Sequence, residues 1–218
     1  ARMSQVVKYL PPLRFRFLTP LYDPVLRWGM REDTFKNRLI KEARIAPNSR
    51  VLDLGCGTGT LTILIKQRQP TAEVVGFDGD PAVLEIARAK AAQENVNLTF
   101  GQGMAYQPPY PDNSFDRVFS SLVLHHLTTQ DRQRALGEVH RVLKRGGEFW
   151  IIDFGKPHNA LAFVISLVMR NLERTSDLIE GLLSEQLSRA GFEQVEQRER
   201  FMTLFGTIAL YRARKAEL

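Results

Sequence analysis

Cysteine is nearly absent: Cys56 is the only one among 218 residues. That excludes an intramolecular disulfide framework and any cysteine-rich metal site; no metal ion is expected. Long apolar runs are also missing. The longest, Leu161 to Met169, holds nine residues with Ser166 inside it, whereas a membrane span needs about 20. Near the start, Arg2, Lys8, Arg14 and Arg16 interrupt every apolar stretch, so no secretory signal is expected. No Gly-Lys-Ser/Thr occurs, which excludes a phosphate-binding P-loop. There is no internal repeat and no low-complexity linker. These absences predict a cytoplasmic protein.

Acidic charge is scarce at one end. Residues 1–50 contain 11 Lys/Arg against 4 Asp/Glu, and the remaining residues contain 19 against 20, so the whole excess of +6 lies in the first fifty. A basic chain suits nucleic acid. A basic stretch confined to one end and mixed with Trp, Phe, Leu and Tyr suits a membrane surface or an anionic substrate equally well. A solvated helix face is the plainer alternative.

Residues 1–20 carry Pro11, Pro12 and Pro20, which limit any helix there. From Pro24 to Ala46 the apolar spacing is helical, which defines an N-terminal helical cap over 1–46 and a main domain over 47–218. Strands and helices then alternate. Strands are expected at Arg50–Leu54, Glu73–Phe77, Asn97–Phe100, Phe115–Ser120 and Glu148–Asp153. Helices are expected at Leu61–Gln67, Ala82–Gln93 and Thr129–Leu143, the last stopped by Gly146-Gly147. A helix over Gly181–Ala190 precedes two strand-like runs, Phe192–Phe201 and Leu204–Arg212. The gap between them is too short for a crossover, so that pair should be antiparallel. The pattern predicts an α/β, Rossmann-like three-layer sandwich: seven strands, mostly parallel, with an antiparallel C-terminal hairpin. An insert at about 156–180, with an apolar stripe at Leu161–Met169, is expected to act as a lid.

Asp53-Leu54-Gly55-Cys56-Gly57-Thr58-Gly59 follows the first strand. Three alternate glycines permit a tight turn and let a ligand approach the backbone closely. A dinucleotide loop wants G-x-G-x-x-G; here the third glycine comes one residue early. This G-x-G-x-G spacing behind Asp53 resembles the first motif of class I S-adenosylmethionine-dependent methyltransferases. The second strand ends in Asp78, where the resemblance implies a carboxylate accepting both ribose hydroxyls, with Gly79 beside it. Gly103-Met104-Ala105 and Pro109–Asp116 resemble the segment that wraps adenine. Many members carry Asp where Met104 stands, so the adenine amine loses that acceptor, and Met104 is expected to pack on the ring. Leu122–Leu127 and Glu138–Gly147 resemble the family too, with Arg145 in place of its usual proline. The match covers about residues 50–155 and looks closest to the ubiquinone/menaquinone-biosynthesis and phospholipid N-methyltransferase branch.

The resemblance implies S-adenosyl-L-methionine as cofactor, held by Tyr22, Asp53, Gly55, Cys56, Gly57, Thr58, Gly59, Asp78, Gly79, Met104, Ala105, Ser120 and Ser121. Methyl transfer from a sulfonium is an in-line displacement, and a base is needed only if the acceptor must lose a proton. Candidates must lie past the ends of strands four and five: His125 or His126 as base, and Asp153 to orient a histidine or the acceptor. His140 is expected on a surface. Gln107-Pro108-Pro109-Tyr110 resembles an amide-methylating motif, but it precedes the fourth strand instead of following it, so no nucleic-acid partner is expected. The apolar insert and the basic, aromatic start suit a lipophilic acceptor, a quinol or lipid amine, with transient membrane-surface contact through the N-terminal segment. A soluble metabolite as acceptor and a non-catalytic cofactor binder are the alternatives.

Overall fold

In the computed structural model, residues 32–172, 178 and 181–217 are described. Tyr22 and most of the expected N-terminal cap lie outside them. The first element is α1 (Glu32–Ala43). It is followed by β1 (Arg50–Leu54), α2 (Thr60–Arg68), β2 (Glu73–Asp78), α3 (Pro81–Gln93), β3 (Thr99–Gln102) and β4 (Phe115–Ser121). A 3₁₀ turn (Leu124–His126) leads to α4 (Thr129–Val142), β5 (Leu143–Phe154), α5 (Ala160–Leu172), α6 (Leu183–Arg189), β6 (Glu193–Thr203) and β7 (Gly206–Arg214).

The seven strands form one sheet in the order β3-β2-β1-β4-β5-β7-β6. Every neighbouring pair is parallel except β5–β7 and β6–β7. The chain winds outward from β1 in one direction and from β4 in the other. Right-handed crossovers therefore place α2 and α3 on one face and α4 on the opposite face. α1 packs on α2, and α6 on α4. With both faces covered, the central strands are apolar almost throughout: Val51, Leu52 and Leu54 of β1, and Phe149 to Ile152 of β5, are buried. The winding reverses between β1 and β4, and a crevice opens at the carboxyl ends of such strands.

Local chemistry sets the helix starts. Asp80 caps α3 by accepting from the Ala82 amide at 2.8 Å, with Pro81 at the first helical position. Thr128 caps α4 by accepting from the Asp131 amide at 3.1 Å. Several boundaries depart from expectation: β7 and α6 start two residues late and β6 ends two residues late. β3 starts two residues late. Gly146-Gly147 does not stop α4: the helix ends at Val142, Leu143 is already extended and pairs with Phe115, and the register shifts before Glu148 meets Arg117. A Cβ at Gly147 would lie 2.8 Å from the Lys144 carbonyl oxygen, so the glycines serve a bulge in β5.

Candidate functional site

The loop between β1 and α2 is tied to the end of β2. The amides of Gly55 and Cys56 both donate to the Phe77 carbonyl, at 2.7 and 3.1 Å. The glycines have different reasons to be there. Gly55 has φ +73°, and a Cβ would lie 2.3 Å from Val123 Cγ2, so the loop passes directly under the segment after β4. Gly57 has φ +52°, and a Cβ there would meet nothing within 4 Å: its backbone faces open space. Gly59 precedes the first turn of α2. Gly55→Ala is expected to lower the unfolding free energy by about 2–4 kcal/mol, from overpacking against a stiff side chain and a left-handed backbone. Val123→Ala in the same chain should recover part of it. Urea unfolding reads both, and an unchanged midpoint for Gly55→Ala would refute the contact.

Asp78 sits half-buried across from this loop. Its Oδ2 accepts from the Gly57 amide at 2.8 Å and its Oδ1 from the Asp80 amide at 2.9 Å. Each oxygen keeps a lone pair for a further donor. Burial pushes its pKa up, and the Asp80 and Gly57 amides pull it back. Gly79 lies between these contacts. Beyond β3, the Gly103 amide donates to the Asp78 carbonyl at 2.9 Å, and the Gln107 amide donates to the Met104 carbonyl at 2.9 Å. That turn holds Met104 and Ala105, both half-buried, beside the end of β2.

Asp53 lies at the end of β1, behind the glycine loop. It is 1% exposed, and Thr62 of α2 donates to its Oδ2 at 2.6 Å. That contact anchors α2 beneath the loop. Burial pushes its carboxyl up to about 6; the Thr62 hydrogen bond and the Lys36 charge oppose the rise, and Asp78 adds to it. Neither Thr62 nor Lys36 was legible as a site residue, since both sit in ordinary helical pattern. Lys36 also pairs with Glu32 one turn away.

A carboxyl held above its unfolded value binds its proton more tightly when folded. Asp53 therefore favours folding at pH below about 4, and that contribution disappears as pH rises through 6. Asp53→Asn keeps an acceptor for Thr62. In cofactor-free protein it should match the native chain at pH 4 and exceed it by about 2 kcal/mol above pH 6. Thermal unfolding against pH tests this, and parallel curves would refute it.

Cys56 is a packing residue. Its sulfur would lie 3.0 Å from a Cβ built on Gly76, and burial pushes the thiol pKa up, away from nucleophilic use. Only its backbone faces the loop contacts. The Thr58 hydroxyl accepts from Lys90 of α3 at 2.9 Å.

On the other side of the crevice, β4 ends in Ser120 and Ser121. Both hydroxyl oxygens are buried and have no hydrogen-bond partner among the described residues. Buried orphan hydroxyls are rare without a missing ligand or water. The next residue, Leu122, adopts φ +59° although it is not glycine. Its amide donates to the Ile152 carbonyl at 2.8 Å. This left-handed turn, invisible in the sequence, swings Val123 over Gly55 and carries His125 back to β5.

His125 Nδ1 lies 2.7 Å from Asp153 Oδ1, and both side chains are buried. Asp153 Oδ2 accepts from the Leu124 amide and Oδ1 from the Phe154 amide, each at 2.8 Å. Burial pushes the Asp153 carboxyl up, but the His125 charge and hydrogen bond with the Phe154 amide outweigh it and hold it below the usual carboxylate range. An ionised Asp153 accepts from a proton on Nδ1. The His126 ring lies 3.9 Å from that of His125. Its outer face reaches solvent, yet the protein packed around the ring, then His125, push its pKa down to about 4. Asp153 thus hydrogen-bonds the ring of His125.

Two other residues fall elsewhere. His140 is half-buried, edge-on to Phe192 at 5.2 Å, and is not the surface residue its helix pattern implied. In Gln107-Pro108-Pro109-Tyr110, the carbonyls of Pro108 and Tyr110 accept from Arg141 at 3.3 and 2.8 Å. The segment is a structural clasp. Among the described candidates, the structure gathers Gly55, Gly57, Asp78, Ser120, Ser121, His125 and Asp153 at the carboxyl ends of β1, β2, β4 and β5.

A family model described as a methyltransferase domain matches residues 51–147. The demethylmenaquinone methyltransferase of Thermus thermophilus is 34% identical over 173 residues, 78% of this chain and 76% of the relative. That of Deinococcus radiodurans is 32% identical over 208 residues, 91% of this chain and 85% of the relative. The crystal structure of the YcgJ protein from Bacillus subtilis superposes with a TM-score of 0.66 at 23% identity. It covers 84% of this chain and 98% of that one, and it supports the fold alone.

Proposed function

Because the chain belongs to the class I S-adenosylmethionine-dependent methyltransferases, in the branch of the ubiquinone/menaquinone-biosynthesis enzymes, we propose that it methylates a ring carbon of a lipophilic quinol. The buried His125–Asp153 pair carries this reading. A quinol carbon becomes a good nucleophile only when a neighbouring hydroxyl gives up its proton, so this acceptor class needs a base, and His125 Nε2 is one. The names of the relatives support the acceptor class.

The residues of the crevice fit S-adenosylmethionine. The oxygens of Asp78 keep lone pairs for the two ribose hydroxyls. Gly57 presents backbone with room beside it for a ligand. Ser120 and Ser121 offer hydroxyls that have no partner among the described residues. When bound, the cofactor supplies an electrophilic methyl on a cationic sulfonium, whose transfer leaves a neutral thioether.

The chain contributes position and a proton path. Nε2 of His125 takes the hydroxyl proton of the quinol, and the released electron pair raises the density at the adjacent ring carbon. After the new carbon–carbon bond forms, that carbon loses its hydrogen as a proton to solvent, restoring the aromatic ring, and the imidazolium returns its proton to the oxygen. Asp153 holds Nδ1–H throughout and stabilises the imidazolium. Val123, packed over Gly55, helps keep water from the reacting centre.

The test is turnover with methyl-labelled cofactor and three acceptors: a demethylated naphthoquinol, phosphatidylethanolamine and a soluble phenol. Label should enter the naphthoquinol alone, on carbon, one methyl heavier by mass. Label in the phospholipid or only in the phenol would overturn the quinol assignment.

A further inference from the structure

The described side chains of α5, up to Ser166, are arranged inside out. Its buried face carries Ala162 and Ser166, at 0% and 5% exposure, while Leu161, Phe163 and Val164 are 63%, 57% and 58% exposed. A helix of a water-soluble domain normally turns its large apolar groups inward. Leu204, 64% exposed, adds to the same patch from the β6–β7 turn. The two elements touch: a Cβ on Gly206 would lie 3.7 Å from Ile165 Cγ2, and His158 Nδ1 lies 2.8 Å from Thr207 Oγ1. A contiguous exposed apolar patch marks an interaction surface.

Its surroundings say what kind. Residues 157–169 and 201–211 contain no Asp, Glu, Lys or Arg. Along the chain, the first charged residues beyond these runs are Lys156 and Arg170 on one side and Arg200 and Arg212 on the other, all cationic, with Arg212 paired to Glu148. An uncharged apolar tip next to Lys156 and Arg200 matches an anionic lipid surface, which takes apolar groups below its headgroups and attracts cations. A protein partner would not require that uniform sign. The place fits as well. β7 starts beside the end of β5, with Ile208 opposite Phe154, so the β6–β7 turn lies at the same edge of the sheet as His125 and Asp153.

We propose that the exposed apolar face of α5 and the β6–β7 turn form a docking surface for an anionic lipid bilayer, which brings the mouth of the active site to the membrane. The proposal suits the lipophilic acceptor above but is measured without any acceptor, so a wrong acceptor leaves its test intact. The native chain should float with vesicles of phosphatidylcholine and phosphatidylglycerol far better than with phosphatidylcholine alone. The variant Leu161→Ser/Phe163→Ser/Leu204→Ser should lose about tenfold or more in partitioning, with S-adenosylmethionine affinity retained as the check on folding. A second variant, Phe163→Trp, reads insertion directly: its emission should shift to the blue on adding the anionic vesicles, beyond any shift in the native chain. Absence of vesicle binding by the native chain, equal flotation of the triple variant, or an unmoved Phe163→Trp emission would each overturn the proposal. So would a self-associated dimer that the same substitutions dissociate while vesicle binding persists.

Discussion

His125→Ala is expected to lower kcat by two to four orders of magnitude while leaving the dissociation constant for S-adenosylmethionine little changed. General-base catalysis is worth about 10²–10⁴ in rate, and His125 sits with Asp153 at the ends of β4 and β5, not on the loop of β1. Asp153→Asn should come close to the same loss for a different reason. An amide in that place can present an NH₂ group to Nδ1, which favours the tautomer with its proton on Nε2 and removes the base. His126→Ala should cost far less, because Asp153 does not hold His126. Single-turnover rates beside calorimetric cofactor titration separate the two effects. A His125→Ala enzyme with native kcat would show that the acceptor ionises without help from the protein, and would remove the observation on which the quinol reading rests.

Asp78→Ala should weaken cofactor binding by two to three orders of magnitude. The carboxylate offers each ribose hydroxyl a charged acceptor, worth about 1.5–3 kcal/mol apiece, and each factor of ten is about 1.4 kcal/mol. The same substitution strips the Gly57 amide of its acceptor, so part of the loss comes from a loosened glycine loop. Asp78→Asn should not rescue it. One oxygen becomes a donor, while backbone amides face both positions. Titration calorimetry measures the loss directly. Affinity within threefold of native for Asp78→Ala, an estimate well under 1 kcal/mol, would place the ribose elsewhere.

Much of this site could be read from the chain. Alternating strands and helices specify a parallel sheet, and the short gap before Leu204 specifies the hairpin. Three alternate glycines after a strand mark a loop that must admit a ligand, and an acid ending the next strand must sit beside it. These are local properties: spacing, turn chemistry and the adjacency of consecutive parallel strands. The same local reasoning misplaced Gly146-Gly147, because a helix stop and a bulge use the same residue for the same freedom of φ. Nor did it show that Asp53 is held by Thr62 of the next helix, since Thr62 sits in an ordinary helical pattern.

The rest was decided by packing across long separations. His125 and Asp153 are 28 positions apart, and only the parallel pairing of β4 with β5 and the left-handed turn at Leu122 bring them to 2.7 Å. That contact chooses one histidine of an adjacent pair, which composition cannot do. The same holds for α5: its apolar sequence suits a buried helix or an exposed one, and the small side chains Ala162 and Ser166 turn out to face the sheet. The sequence by itself determined the cofactor crevice, since a turn and its glycines are set by neighbours in the chain. Tertiary structure alone decided which histidine meets Asp153 and which apolar face turns outward, since both depend on which groups from distant segments exclude water from each other.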